Sequence, residues 1–491
     1  MTLALNARMG LVQVLMTLAF NLLLVPFILR SAGVSLYGSW IALLTVVAVG
    51  ALADAGIRTE ISRRVAKAHG EQDDDAMTQA AREGLTAMAF VVVPLTAALV
   101  LCTPAILGVL SIDGSHEDAA DLTVALRILI AVLCVQLLVG AHTAVLRGLQ
   151  RQDVELTGQV LGMPVSALVI VVGLDRGWGL WALLAGQVAG IVASLVFQLM
   201  RQRQLLPRSR VRLVRPSRVL LAYAGLSGLA LITQVGDVID TQWDKLVLAR
   251  VVGPEAVASF HIGATLALQA KVVAVIPLAP LLVSVAEMRG RSVDEGRRLH
   301  ARMAGASAVL AATVLGVTFV FGPALVELLL GAGHEDVGEV CRWFSVAVLI
   351  NVLVAPAAMQ AYGEGRHQLA ALGAVSNVVV NMVASAFLAT QIGLMGPVYG
   401  SILGNAAGAA VFVVAANPRL SYWHPPHLLP LVPAVGLGAA VLLTGLQNRA
   451  EPWVALPAAA AFAVVVLAVG LRLERLPLRE MVRAGTAGRD R

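Results

Sequence analysis

The chain has 491 residues, 58% apolar and 13% charged, with a formal net charge of +6 and a mean hydropathy of +0.82. A soluble domain is about half apolar and a quarter charged, so this chain has too little polar surface to wet a folded particle. That excludes a soluble enzyme, a disordered chain and a disulfide-stapled one. The balance of 36 basic against 30 acidic residues is too even to point to nucleic acid. The sequence is that of an integral membrane protein.

The first apolar run, Met9 to Leu29, is long enough to span and lacks an Ala-x-Ala exit, so it is expected to stay as a helix. A bilayer core takes about 20 apolar residues per helix. Cut at that length, the chain predicts fourteen spans, near 9–30, 38–57, 84–112, 121–144, 156–174, 179–200, 219–249, 255–285, 304–331, 339–362, 369–390, 396–415, 429–446 and 453–471. The expected fold class is an all-α polytopic membrane protein. With the N-terminus inside, 28 of the 36 Lys and Arg residues fall in inner segments. Positive charge marks the cytoplasmic side, which puts both termini in the cytoplasm and the protein in the cell membrane.

The outer connections are short, as in Ser111–Ala120 and Gly331–Gly338, and the longest soluble segment is the cytoplasmic Arg58–Glu83. No loop is large enough for a catalytic domain, so an enzyme is not expected. Cys102, Cys134 and Cys341 lie in or beside apolar stretches. They read as small buried residues, with a helix-to-helix disulfide as the alternative. No metal-ligand spacing appears, and nothing calls for a cofactor. The basic run Arg201 to Arg218 reads as a linker lying on anionic headgroups.

Three local patterns recur at nearly one offset. Arg30-Ser-Ala-Gly33 echoes Arg250-Val-Val-Gly253, Gly148-Leu-Gln-Arg151 echoes Gly363-Glu-Gly-Arg366, and Gly186-Gln187-Val-Ala-Gly190 echoes Gly404-Asn405-Ala-Ala-Gly408. The offsets of 220, 215 and 218 place them on spans 1 and 7, 4 and 10, and 6 and 12. This predicts two six-helix lobes of the same topology, 1–200 and 219–415, joined by the linker 201–218. Two extra helices at 429–471 and a basic tail at 472–491 follow. In transporters built from parallel repeats the substrate passes between the halves. The Gly-x-x-x-Gly pairs read first as helix-packing seams.

The opening Pro26-Phe-Ile-Leu-Arg30-x-x-Gly33-x-x-x-Tyr37-Gly38-x-Trp40, with Asp54-Ala-Gly56, resembles the polysaccharide (O-antigen type) flippases of the multidrug/oligosaccharidyl-lipid/polysaccharide exporter superfamily. The string Asp244-Lys245-Leu-Val-Leu-x-x-x-x-Gly253-Pro-Glu255, followed by Pro277 and Pro280, fits the same family. The resemblance implies transbilayer movement of a polyprenyl-diphosphate-linked glycan by alternating access. Its implied partners are the lipid-linked glycan, membrane lipids and other glycan-assembly proteins. A multidrug-type antiporter of the same superfamily is the alternative. Against it, the first span holds no acidic residue. A membrane-embedded glycan polymerase or transferase is the rival class.

Ionisable groups at membrane depth are costly and mark function by default. Lys271 sits near the middle of the eighth span, either lining a cavity where it meets a diphosphate or paired with a carboxylate. His261 shares a face with Thr265 and Gln269, which adds His261 and Gln269 to the candidate substrate contacts. Gln234, Asp237, Asp240 and Asp244 recur at spacings of 3, 3 and 4, one helical stripe. With Lys245 they form either a proton or sodium coupling site or an outer vestibule. Asp54 is expected to pair with Arg58, Arg63 or Arg64, as a structural lock or an inner-gate latch. Arg30 and Arg250 hold equivalent outer positions in the repeat, for snorkelling or gating.

Overall fold

The computed structural model of the chain describes residues 2–54, 56–109, 119–205, 228–275, 293–363, 366–415, 434–439 and 452–473. The linker 201–218 beyond Leu205, Pro277, Pro280, the tail and most of the expected span 429–446 lie outside them. Among the described residues every regular element is a helix. They are α1 (Thr2–Ala32), α2 (Val34–Gly50), α3 (Ile57–Gly70), α4 (Asp74–Leu101), α5 (Thr103–Val109), α6 (Ala119–Gly148), α7 (Gln152–Asp175) and α8 (Leu180–Leu205), then α9 (Gly228–Val251), α10 (Pro254–Val275), α11 (Val293–Leu330), α12 (Glu335–Gly363), α13 (His367–Ile392), α14 (Met395–Ala415) and α15 (Pro452–Leu473). Ten of these are long and apolar enough to cross a membrane, and α2 is a shorter apolar helix. The chain is a multi-pass membrane protein.

The helix of the second span stops at Gly50, short of the expected 57; a 3-10 turn follows at Ala51–Asp54, and the charged segment then forms a separate helix, α3. The break is built on Gly56, whose φ of +77° is a left-handed conformation that costs a residue without Cβ little. The charged segment expected as a loop is therefore helical. Ile57, Ile61, Val65 and Ala68 recur at 3.6-residue spacing and are buried, the first three in a cluster with α4 and α6, while Lys67 stays exposed. Ile61 and Val65 are wholly buried, each contributing about 1.5–3 kcal/mol. The next helix starts where the Asp73 carboxylate accepts from the Ala76 amide at 2.8 Å, with Asp74 and Asp75 in its first turn.

The chain divides into two compact units, Met1–Ala258 and Ser259–Arg491. In the first, α7 pairs with α8 and with α1, α6 packs on α3 and α4, and α9 lies on α2. Gly38 of α2 faces the Pro254 carbonyl with no room for a Cβ. In the second unit, α13 pairs with α14, α12 packs on α11 and α14, and α11 on α15.

The repeat shows in the backbone. Arg151 and Arg366 both occupy N-cap positions, at φ −102°, ψ 48° and φ −85°, ψ 53°. Gly33 and Gly253 both have positive φ between their helices, +85° and +124°. The small residues form the α7–α8 and α13–α14 seams. A Cβ on Gly190 would lie 2.8 Å from Ser166 Cβ and 2.9 Å from the Gly162 carbonyl, and one on Gly408 would lie 3.0 Å from the Gly373 carbonyl.

Candidate functional site

The acidic stripe lies on α9. Of Gln234, Asp237, Asp240 and Asp244, only the last has a described side chain. Asp244 is 2% exposed. Its neighbour Lys245 donates from Nζ to Gln242 Oε1 at 3.1 Å. Arg250 in the last turn of α9 and Arg30 in the last turn of α1 are exposed, as befits equivalent helix ends.

His261, Gln269 and Lys271 are all half-buried on α10, but they do not form one stripe. Two residues apart on a helix of 3.6 residues per turn, Gln269 and Lys271 point about 160° from each other. His261 and Gln269 share the face of Thr265. Lys271 sits beside Ala267 and Ala274, both wholly buried in a cluster with Ala311 and Leu315 of α11 and Val348 and Val352 of α12. It lies about 25 Å along the helix from Pro254, at 1.5 Å per residue. The part of the eighth span beyond Val275 is outside the described residues.

The helix break after α2 brings Asp54 and Arg58 together as a hydrogen-bonded ion pair, with Asp54 5% exposed. Arg63 and Arg64, the other expected partners of Asp54, instead hold Glu60. Nε and Nη2 of Arg63 donate to the two Glu60 oxygens at 2.8 and 2.7 Å, and Arg64 Nε donates at 2.7 Å. Arg64 also reaches Glu83 of α4 at 3.1 Å. The Arg63 hydrogen bond, opposed by burial and aided by Arg64, holds the Glu60 carboxyl below the usual carboxylate range. The three cysteines are all free thiols.

The first unit also holds an open cavity of about 530 Å³ lined by α1, α6, α7 and α8. Such volumes are typical of small-ligand sites. The α7–α8 seam supplies one wall of it, with Glu155, Gln159, Gly162 and Ser166 on α7 and Gln187, Gly190, Ser194 and Gln198 on α8. Spacings of 3 and 4 keep each set on one face. From α6 come Gln136 and Thr143, from α1 Thr17 and Phe20. Gly140 leaves room for Arg58, whose Cδ lies 3.0 Å from where a Cβ would stand.

The charges on the wall are already matched. Arg58 is held by Asp54, and Glu155 accepts two bonds from Arg147 at 2.7 and 2.6 Å. The amides are not all matched. Gln13 Nε2 donates to Gln159 Oε1 at 2.6 Å, and Gln198 Nε2 donates to Ser194 Oγ at 2.9 Å. Gln198 is 5% exposed, yet its Oε1 accepts from no described group. Of the residues nominated from the sequence, only Arg58 lines this cavity. The available signal was four glutamines inside apolar spans, two of them in register on helices of the same pair. Gln187 was visible only as part of a packing motif.

Long apolar helices in a twice-used order, with a cavity among four of them, define a multi-pass membrane protein. The chain belongs to the polysaccharide biosynthesis protein family, whose profile matches residues 5–284, more than half its length. Its fold is that of a lipid II flippase MurJ in an inward closed conformation, with a TM-score of 0.74, 10% identity, and 96% of this chain and 99% of that one covered. It is also similar to a multidrug resistance MATE family transporter of the MOP superfamily in its inward-facing conformation, with a TM-score of 0.68, 17% identity, and coverage of 83% and 94%. The outward-facing conformation of such a transporter matches at a TM-score of 0.59 and 16% identity, with coverage of 86% and 95%. No curated protein matches the chain in sequence.

Proposed function

We propose that the protein moves a polyprenyl-diphosphate-linked oligosaccharide across the cytoplasmic membrane by alternating access, for surface polysaccharide assembly, with both termini in the cytoplasm. The family match over residues 5–284 carries this reading. The flippase-like fold supports it. So does the absence of any acidic residue from α1, which disfavours cation-coupled drug export through a carboxylate on that helix. Among the described residues the connections between spans are also short, four residues between α11 and α12, and none of them holds the outer domain of a polymerase.

The test is reconstitution of the full chain into vesicles carrying a fluorescent polyprenyl-diphosphate disaccharide, with an impermeant glycosidase reporting exposure on the far leaflet. Protein-dependent exposure above that of empty vesicles is expected. No exposure from folded protein that exchanges drugs for protons would assign the chain to the antiporters instead.

A further inference from the structure

We propose that the cavity between α1, α6, α7 and α8 is a binding site for a neutral sugar ring, the headgroup end of the substrate proposed above. The inference rests on that reading for its link to transport, but the site is argued from its own chemistry. A site for an anion or a cation needs net charge aimed into it. Here the two charged residues on the wall, Arg58 and Glu155, are each neutralised by a hydrogen-bonded partner outside it.

What remains is a mostly apolar wall set with neutral amides and hydroxyls. Glutamine offers two donors and an acceptor with two lone pairs, the complement of a sugar hydroxyl, which both donates and accepts. Among the described residues, Gln136 and Gln187 make no side-chain hydrogen bond and line the cavity from two different helices. Gln198 stands on the same wall, its Nε2 donating to Ser194 Oγ at 2.9 Å. Phe20, Leu137 and Met163 add apolar surface on the same wall, suited to the C–H faces of a pyranose. Apolar walls with a few convergent polar groups are the usual composition of small-molecule sites.

The experiment uses the full chain in nanodiscs, free of sugar-headed detergent, with glucose and N-acetylglucosamine as probes and inorganic diphosphate as the charged control. Saturation-transfer difference NMR is expected to show protein-to-sugar transfer. Gln187→Leu and, separately, Gln136→Leu should each weaken sugar binding about fivefold or more, the loss of one hydrogen bond. Diphosphate should not displace the sugar. Two positions on separate helices guard against one variant failing to fold. The proposal is overturned if folded wild-type protein gives no sugar signal, if both variants bind like wild type, or if diphosphate competes. Flipping of the glycan lipid without sugar binding here would sink the site and leave the proposed function standing. Sugar binding without flipping would do the reverse.

Discussion

Asn351 of α12 donates from Nδ2 to Asn405 Oδ1 of α14 at 3.0 Å, and the repeat places these two residues where the first unit has Gln136 and Gln187. In one unit a short amide pair ties two helices directly; in the other, two longer amides line a cavity and do not tie. The pattern is thus used differently in the two copies, one stitched and the other lining the cavity. Interhelical hydrogen bonds in membrane proteins average about 0.6 kcal/mol. Asn351→Ala should therefore lower thermal stability modestly, by about 0.6–1.5 kcal/mol, and Asn405→Ala by a similar amount. The double variant should cost less than the sum of the two. Additive losses in thermal melts of the purified protein would show that the pair is not coupled.

The Asp54–Arg58 pair closes the break between α2 and α3, and a buried carboxylate there depends on its cation. Removing one member of a buried pair costs about 3–5 kcal/mol because the other charge is left stranded. With Arg58 partly exposed, the lower end or less is expected. Asp54→Asn should reduce folded protein, and Asp54→Asn with Arg58→Gln should recover part of the loss. Fluorescence-detected size exclusion measures both. A double variant no better than Asp54→Asn alone would mean that the pair is not what fixes the break.

Glu60 gives the fold a pH dependence of known sign. Its carboxyl titrates below the usual range in the folded chain, so the folded state favours the carboxylate more than the unfolded chain does. The stabilisation is complete above the unfolded value, about 4.3, and is lost as pH falls through the lower, folded one. Glu60→Gln should thus melt below wild type at pH 7, and the gap should narrow as the pH is lowered past the unfolded value. A gap that stays constant over that range would remove Glu60 as its source.

These residues also show what a sequence can and cannot reveal. The spans were legible because apolar runs of bilayer length have few other uses, and the repeat because Arg151 and Arg366 mark the same turn twice. The break at Gly56 was harder to read. An apolar run continues up to it, and only the short string Asp54-Ala-Gly56 betrays the turn. The segment after it looked like a loop because it is rich in charge, yet Glu60, Arg63 and Arg64 satisfy one another along a helix whose other face is apolar. The cavity was missed for a physical reason. Neutral amides inside a span carry no charge penalty to draw attention, so Gln159 and Gln198 stood out less than Lys271.

Lys271 carries the last prediction. A cation beside two wholly buried alanines, about 25 Å along its helix from Pro254, is expensive to keep, and ionisable groups so placed in membrane proteins serve substrate or coupling. A diphosphate is the feature common to polyprenyl-linked glycans whatever their sugars. An ammonium grips it as a point charge without the fixed two-pronged geometry of arginine, which suits an anion that must be released. Lys271→Gln should lower the flipping rate about tenfold or more, the worth of a hydrogen bond to a charged group, while Lys271→Arg keeps part of the activity. Sugar binding in the first unit's cavity should be untouched by either change, because that site lies in the other unit and carries no net charge. Vesicle flipping assays at matched protein levels measure the first effect, and NMR titration with N-acetylglucosamine the second. Folded Lys271→Gln protein that flips at the wild-type rate would remove Lys271 from the substrate path. A variant that fails to fold while Lys271→Arg folds normally would make its charge structural instead.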